Sequence, residues 1–128
     1  MEDVITHYFC QDQVVGQVAV QYFPVTDTQG PTNTGAWEWA TVLINATVPG
    51  TLTLTIQISH DGVTWFPVLV HDLTAVANKW VMAANVALAA NTVAAVMGVS
   101  CPAPYIRLGA ISGGGADATL TAVFVAIT

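Results

Sequence analysis

Positive charge is nearly missing from this sequence. Its 128 residues hold two cations, Lys79 and Arg107, against eight Asp and Glu, for a formal net charge of −6. A nucleic-acid-binding surface needs clustered Lys and Arg to neutralise phosphates, and two cations cannot build one. The same shortage excludes a coat protein that condenses RNA and a polybasic module that lies on anionic lipid. Charge of either sign is scarce, at 8% of residues, where a soluble domain averages about 25%. Thr, Asn, Gln, Ser and Ala stand where Lys and Glu would normally dress a surface. Charge is depleted at the centres of protein–protein interfaces, so a subunit partly covered by neighbours is expected.

Other elements of chemistry are equally thin. Two cysteines, Cys10 and Cys101, show no CxxC and no Cys/His spacing of a zinc site. The acidic start Met1-Glu2-Asp3 has neither the positive region nor the apolar run of a secretory signal, so synthesis in a cytoplasm with reduced thiols is expected. Both cysteines are then small buried hydrophobes; spacing alone leaves a disulfide between them open. His60-Asp61 and His71-Asp72 flank one hairpin too far apart to share a metal, and no Asp-x-Asp-x-Asp-Gly calcium loop exists. Nothing brings Glu38 beside an aspartate for acid–base work. There is no Gly-x-Ser-x-Gly elbow and no P-loop, and no helix follows Gly113-Gly114-Gly115. The expectation is no enzyme, no cofactor and no metal.

Long amphipathic helical patterns are also absent. Residues 81–106 carry no Asp, Glu, Lys, Arg or His, a length that could span a bilayer. Yet Asn85, Asn91, Thr92 and Ser100 interrupt it, Pro102 and Pro104 break its end, and alanine is only weakly apolar. Two Ala/Val-rich strands, or a short helix and a strand, fit better than a membrane span.

What is present is β pattern. Hydrophobic residues make up 54% of the chain, and Val and Thr favour pleated, half-buried surfaces. Strands are predicted at 14–23, ended by Pro24, and at 37–48, followed by the Pro49-Gly50 turn. The next, at 51–59, alternates Leu52, Leu54, Ile56 and Ile58 with Thr51, Thr53, Thr55 and Gln57. Asp61-Gly62 turns the chain into an antiparallel return over 63–70. Weaker strands are predicted at 79–89 and 93–99, then clear ones at 105–111 and 118–127. In the last, Leu120, Ala122, Phe124 and Ala126 are expected on the face opposite Thr119, Thr121, Val123 and Val125. About eight strands with turns between them predict an all-β antiparallel β-sandwich, jelly-roll-like, in a single domain. Residues 36–128 would form its core. Residues 1–35, a strand and a polar loop, would be a candidate interface arm.

One stretch and two later segments carry a resemblance. The strand Thr51-Leu52-Thr53-Leu54-Thr55-Ile56-Gln57-Ile58-Ser59 runs into His60-Asp61-Gly62-Val63-Thr64-Trp65. Later come Pro104-Tyr105-Ile106-Arg107-Leu108, a glycine turn, and the strand from Ala118 to Ala126. Over roughly residues 40–127 this resembles small β-sandwich structural proteins of tailed bacteriophages, with their Ser-x-Asp-Gly-x-x-Trp hairpin and Tyr-x-Arg-Leu strand. The resemblance implies a virion component: a capsid decoration (cement) subunit, or a tail, neck or fibre-base module. Its partners would be the major capsid protein or other virion proteins and copies of itself, a trimer being favoured, with no nucleic acid and no membrane. Asp-Gly-x-x-Trp also occurs in carbohydrate-binding sandwiches, which keeps a sugar-binding module as an alternative.

Five residues make up the structural motif: Asp61, Gly62, Trp65, Tyr105 and Arg107. Asp61-Gly62 would fix the hairpin register, and Trp65 would cover the open end of the sandwich. Arg107 shares a strand face with Tyr105 and needs an acceptor, expected in Asp61 or Asp72 or in a neighbouring subunit. Trp37 and Trp39 share a face and are candidate interface residues; capping of the core and a sugar-stacking platform are the other roles open to them.

Overall fold

The Leu/Ile–Thr alternation of residues 51–59 should bury one side only, and it does: Leu52, Leu54 and Ile56 are fully buried while Thr51 is exposed. The structure is a computed structural model that describes residues 5–23, 39–74, 82–100 and 103–127. Its strands are β1 (Ile5–Val15), β2 (Gln21–Phe23), β3 (Ala40–Thr47), β4 (Thr51–Ser59), β5 (Phe66–Pro67), β6 (Val70–Asp72), β7 (Met82–Ala83), β8 (Val86–Leu88), β9 (Ala94–Val99), β10 (Tyr105–Gly113) and β11 (Ala118–Ile127). They form two antiparallel sheets. A six-stranded sheet runs β1-β11-β3-β9-β6-β7, and a five-stranded sheet runs β2-β10-β4-β5 with β8 also on β4. The chain changes sheet at most connections, as in a jelly roll. The sandwich is therefore as expected, but with more strands, because β2 and β5 to β8 are pieces of two or three residues.

The inner faces meet in one core. Val42, Ile44, Met97, Leu120, Val123 and Val125 come from the six-stranded sheet; Phe23, Leu52, Leu54, Ile56, Ile106 and Leu108 come from the other. Each such side chain stabilises the fold by about 1.5–3 kcal/mol relative to exposure. Cys10 joins this core as a free thiol, and burial pushes its pKa up to about 12, so it stays protonated and unreactive. Cys101 lies outside the described residues.

The structure corrects several boundaries. The strand predicted at 14–23 starts earlier and breaks at Gly16. Gln21 holds the break: Gly16 N donates to Gln21 Oε1 (2.7 Å) and Gln21 Nε2 donates to Val14 O (3.2 Å). β1 pairs with β11 and β2 with β10, so residues 5–23 build both sheets, with Phe9, Val15 and Phe23 in the core. The return over 63–70 also divides. Phe66 and Pro67 pair with β4, Val68 N donates to Ile56 O (3.1 Å), and β6 then crosses to the other sheet beside β9. The strands of residues 82–99 are β7, β8 and β9, joined by bends and a turn, and none of the described residues form a helix long and apolar enough to cross a membrane. In β11 a register shift between Leu120 and Ala122 flips the faces: Leu120, Val123, Val125 and Ile127 point inward while Ala122, Phe124 and Ala126 face out.

Among the described strands, β1 is the outermost on its side of the six-stranded sheet and is eleven residues long. Its ladder shifts register between Tyr8 and Cys10, and Asp12 sits in left-handed backbone (φ 51°). Such interruptions blunt an edge against strand-by-strand pairing with another molecule.

Candidate functional site

The site lies on the outer side of the five-stranded sheet, and strand register assembles it. On β10 the outward residues are Tyr105, Arg107, Gly109 and Ile111. Arg107 is directly opposite Gln57 of β4, and Gly109 is directly opposite Tyr22 of β2. Gly109 gives Tyr22 room to lie down: a Cβ there would stand 3.0 Å from Tyr22 Cε1 and 3.1 Å from Val20 Cγ1. The Tyr22 ring thus reaches Arg107, whose guanidinium carbon is 3.7 Å from the ring centroid.

Trp65 arrives from beyond β4, the opposite flank of β10. Its ring centroid is 4.3 Å from the same guanidinium carbon. Gln57 completes the cluster, accepting a hydrogen bond from Arg107 Nε at 2.7 Å. Arg107 pairs with neither Asp61 nor Asp72, contrary to the in-chain pairing expected; amide and π acceptors take the carboxylate's place. Each cation–π contact contributes about 0.5–1 kcal/mol at such a half-open site. Partial burial of the guanidinium lowers its pKa, and the nearby Tyr22 raises it; Arg stays charged throughout the physiological range.

The Asp61 turn aims Trp65. Asp61 Oδ1 accepts hydrogen bonds from Val63 N (2.9 Å), Thr64 N (2.9 Å) and Ser59 Oγ (3.0 Å). Gly62 N donates to Ser59 Oγ (2.8 Å), and Gly62 adopts φ 77°, a region a side chain resists. Ser-x-Asp-Gly is thus a self-contained Asx turn. Trp65 lies against Arg107 on the sheet's outer side, a different position from the end of the sandwich expected for it. The backbone N–H groups of Thr64 and Val63, then the Ser59 hydroxyl, lower the Asp61 pKa from 3.8 to about 2. A carboxylate whose folded pKa is depressed contributes stability above the unfolded value, lost as pH falls through the folded one. Asp61→Asn keeps an acceptor but removes the charge. The Tm difference between wild type and this variant should therefore shrink as pH falls from 3.8 towards 2; a difference that stays constant would show that the charge contributes nothing.

Tyr105 shares the outer side with Arg107, two residues along, opposite Ser59. Trp39 sits on the other sheet. Its Nε1 donates to Thr41 Oγ1 (3.0 Å), and its ring lies over Gly98 and 5.4 Å from the His71 ring. Trp37 lies outside the described residues. Among the described residues no group of three or more His, Cys, Asp or Glu could hold a metal ion. Tyr22 and Gln57 are members that sequence reading did not single out. They lie 85 and 50 positions from Arg107 along the chain, and only the pairing of β10 with both neighbours brings them in.

No family model matches the chain, and no curated protein matches it. Among solved structures, the PBSX exported protein XepA superposes with a TM-score of 0.56 at 15% identity, over 96% of this chain and 36% of that one. The chain therefore spans about a third of that protein's length, and the likeness is one of fold. The CBM22-1–GH10 modules of endo-1,4-β-D-xylanase 10B from Clostridium thermocellum, complexed with xylohexaose, give a TM-score of 0.44 at 9% identity, over 84% of this chain and 19% of that one. That similarity is too distant to inform function.

Proposed function

We propose that the chain is a structural component of a tailed-phage virion, specifically a decoration subunit on the outer capsid shell. The observation that carries this reading is the meeting of the two resemblance motifs. The Ser59–Trp65 hairpin and the Tyr105–Leu108 strand converge on one cluster, Trp65 on Arg107. The turn and the cluster use every distinctive residue of the motifs except Tyr105 for architecture, and none is arranged for chemistry. The all-β sandwich and its partial fold likeness to XepA are compatible with such a part. A charge-poor exterior lowers the cost of desolvating many contacts at once, and an acidic balance suits a position away from packaged nucleic acid. Binding to assembled shells in preference to free subunits would stabilise the lattice by mass action.

The test is addition of the purified chain to empty expanded capsids of its phage. A decoration subunit should cosediment at a copy number matching the shell lattice and raise the capsid melting temperature. Immunogold labelling of virions separates the neighbouring reading: uniform shell labelling supports decoration, whereas label at a single vertex would move the protein to the neck or tail. Absence of label from virions would end the virion role.

A further inference from the structure

We infer that copies of this chain join head to tail, the Arg107 cluster of one copy receiving the Asp12 carboxylate of the next. This contact goes beyond the virion role and does not depend on it.

The receiving side is built. Arg107 spends its Nε on Gln57, and among the described residues its terminal nitrogens donate no hydrogen bond. Those nitrogens form the planar fork that matches a carboxylate. Two rings and one amide already fix the side chain, so docking costs little further rotamer entropy. The surroundings have the anatomy of an interface centre. Arg, Trp and Tyr are the residues enriched at binding hot spots, and apolar neighbours around them exclude water. Here Val20, 42% exposed, lies beside Tyr22 over Gly109, and Val63, 80% exposed, sits in the turn that leads into Trp65.

The entering side follows from accounting for the described carboxylates. Asp61 serves its own turn, Asp72 accepts from Thr74 N (3.0 Å), and Asp117 accepts from Gln17 Nε2 (3.1 Å). Asp12 accepts no hydrogen bond from a described residue. It is exposed on β1, the outer strand on its side of the sheet among the described strands, at the left-handed residue where the strand leaves regular geometry. Among the described residues, each chain thus carries one cation without an ionic partner and one carboxylate, Asp12, that accepts no hydrogen bond. They lie on different sheets, an arrangement that suits a head-to-tail contact between unlike patches. Such a heterologous contact builds a closed ring where the rotation closes. The interruption of β1 makes this a side-chain contact and not strand addition.

Sedimentation velocity of the full chain, across concentration and salt, tests the contact. Wild type should self-associate, less so as salt rises. Arg107→Gln and Asp12→Asn should each weaken association by roughly tenfold or more. Asp12→Asn alters an exposed side chain that tolerates left-handed backbone, so its fold should survive, and circular dichroism checks both variants. Mixing the two variants should restore one intact contact, Asp12 of the first into Arg107 of the second, and stop at dimers. A wild type that stays monomeric at every concentration overturns the proposal, as does association indifferent to Asp12→Asn, or a mixture that forms no dimers. Capsid cosedimentation, measured separately, would leave the virion role standing in each of those cases.

Discussion

Leu108→Ala is expected to cost about 2–5 kcal/mol of unfolding free energy. Leu108 has no exposed surface and lies on the inner side of β10. Its ladder partners are Phe23 of β2 and Ile56 of β4, both buried. A strand held on both sides cannot slide to fill a void, so the cavity term should remain largely unrelieved. For a domain with about 5–15 kcal/mol in total, that is a large share, worth roughly 3–5 °C of Tm per kcal/mol at this size. Urea unfolding should show a lower midpoint with an unchanged slope, because the native core survives with a hole in it. The contrasting variant is Leu43→Ala on the outward side of β3, 39% exposed, expected within about 0.5 kcal/mol of wild type. A Leu108→Ala loss under about 1 kcal/mol would mean the two sheets are packed more loosely than their burial implies. Leu108 also backs the sheet under Arg107, so its loss should loosen the Tyr22–Arg107–Trp65 cluster before the fold itself fails.

The parts of this architecture that sequence made legible are those where one rule acts alone. β4 announces itself because period-two alternation runs unbroken from Leu52 to Ile58. The Asp61-Gly62 turn is equally visible, since a short acceptor side chain and a residue free to take positive φ suffice to form it. Where two rules meet, the pattern misleads. In β11 the step between Leu120 and Ala122 adds one residue to the ladder, so Val123 and Val125 fall inward although parity with Leu120 puts them outside. β1 was hidden for a similar reason: Phe9 and Cys10 are consecutive and both buried, which no strict alternation produces. The candidate site is partly legible. Trp65 and Arg107 stand out as residue types, and the need of Arg107 for an acceptor is sound chemistry. The acceptors themselves depend on which residue of β2 lies opposite Gly109 and which of β4 lies opposite Arg107. Register over such separations is a property of the folded sheets, with no local signature.

Gly50→Ala should destabilise by about 3 kcal/mol or more, at the upper end of overpacking effects. The turn between β3 and β4 nests against the glycine turn between β10 and β11. A Cβ on Gly50 would stand 2.2 Å from Gly113 O and 3.2 Å from Gly114 Cα. Both obstacles are backbone, so no rotamer change relieves them; one turn must move away from the other. Gly115→Ala in the same pair of turns is the informative comparison. Its Cβ would meet nothing within 4 Å, and only its backbone, at φ +80°, resists a side chain. That strain is about 1–2 kcal/mol. The steric variant should therefore unfold at lower urea than the strained one, and the reverse order would show that the turns do not touch. The consequence reaches the site, because Gly113 is the ladder partner of Thr51 at one end of the β4–β10 pairing that sets Arg107 opposite Gln57. Displacing that end loosens the register on which the cluster depends. Gly50→Ala should then weaken self-association through Arg107 even at temperatures where the sandwich is still folded, whereas Gly115→Ala should leave association unchanged.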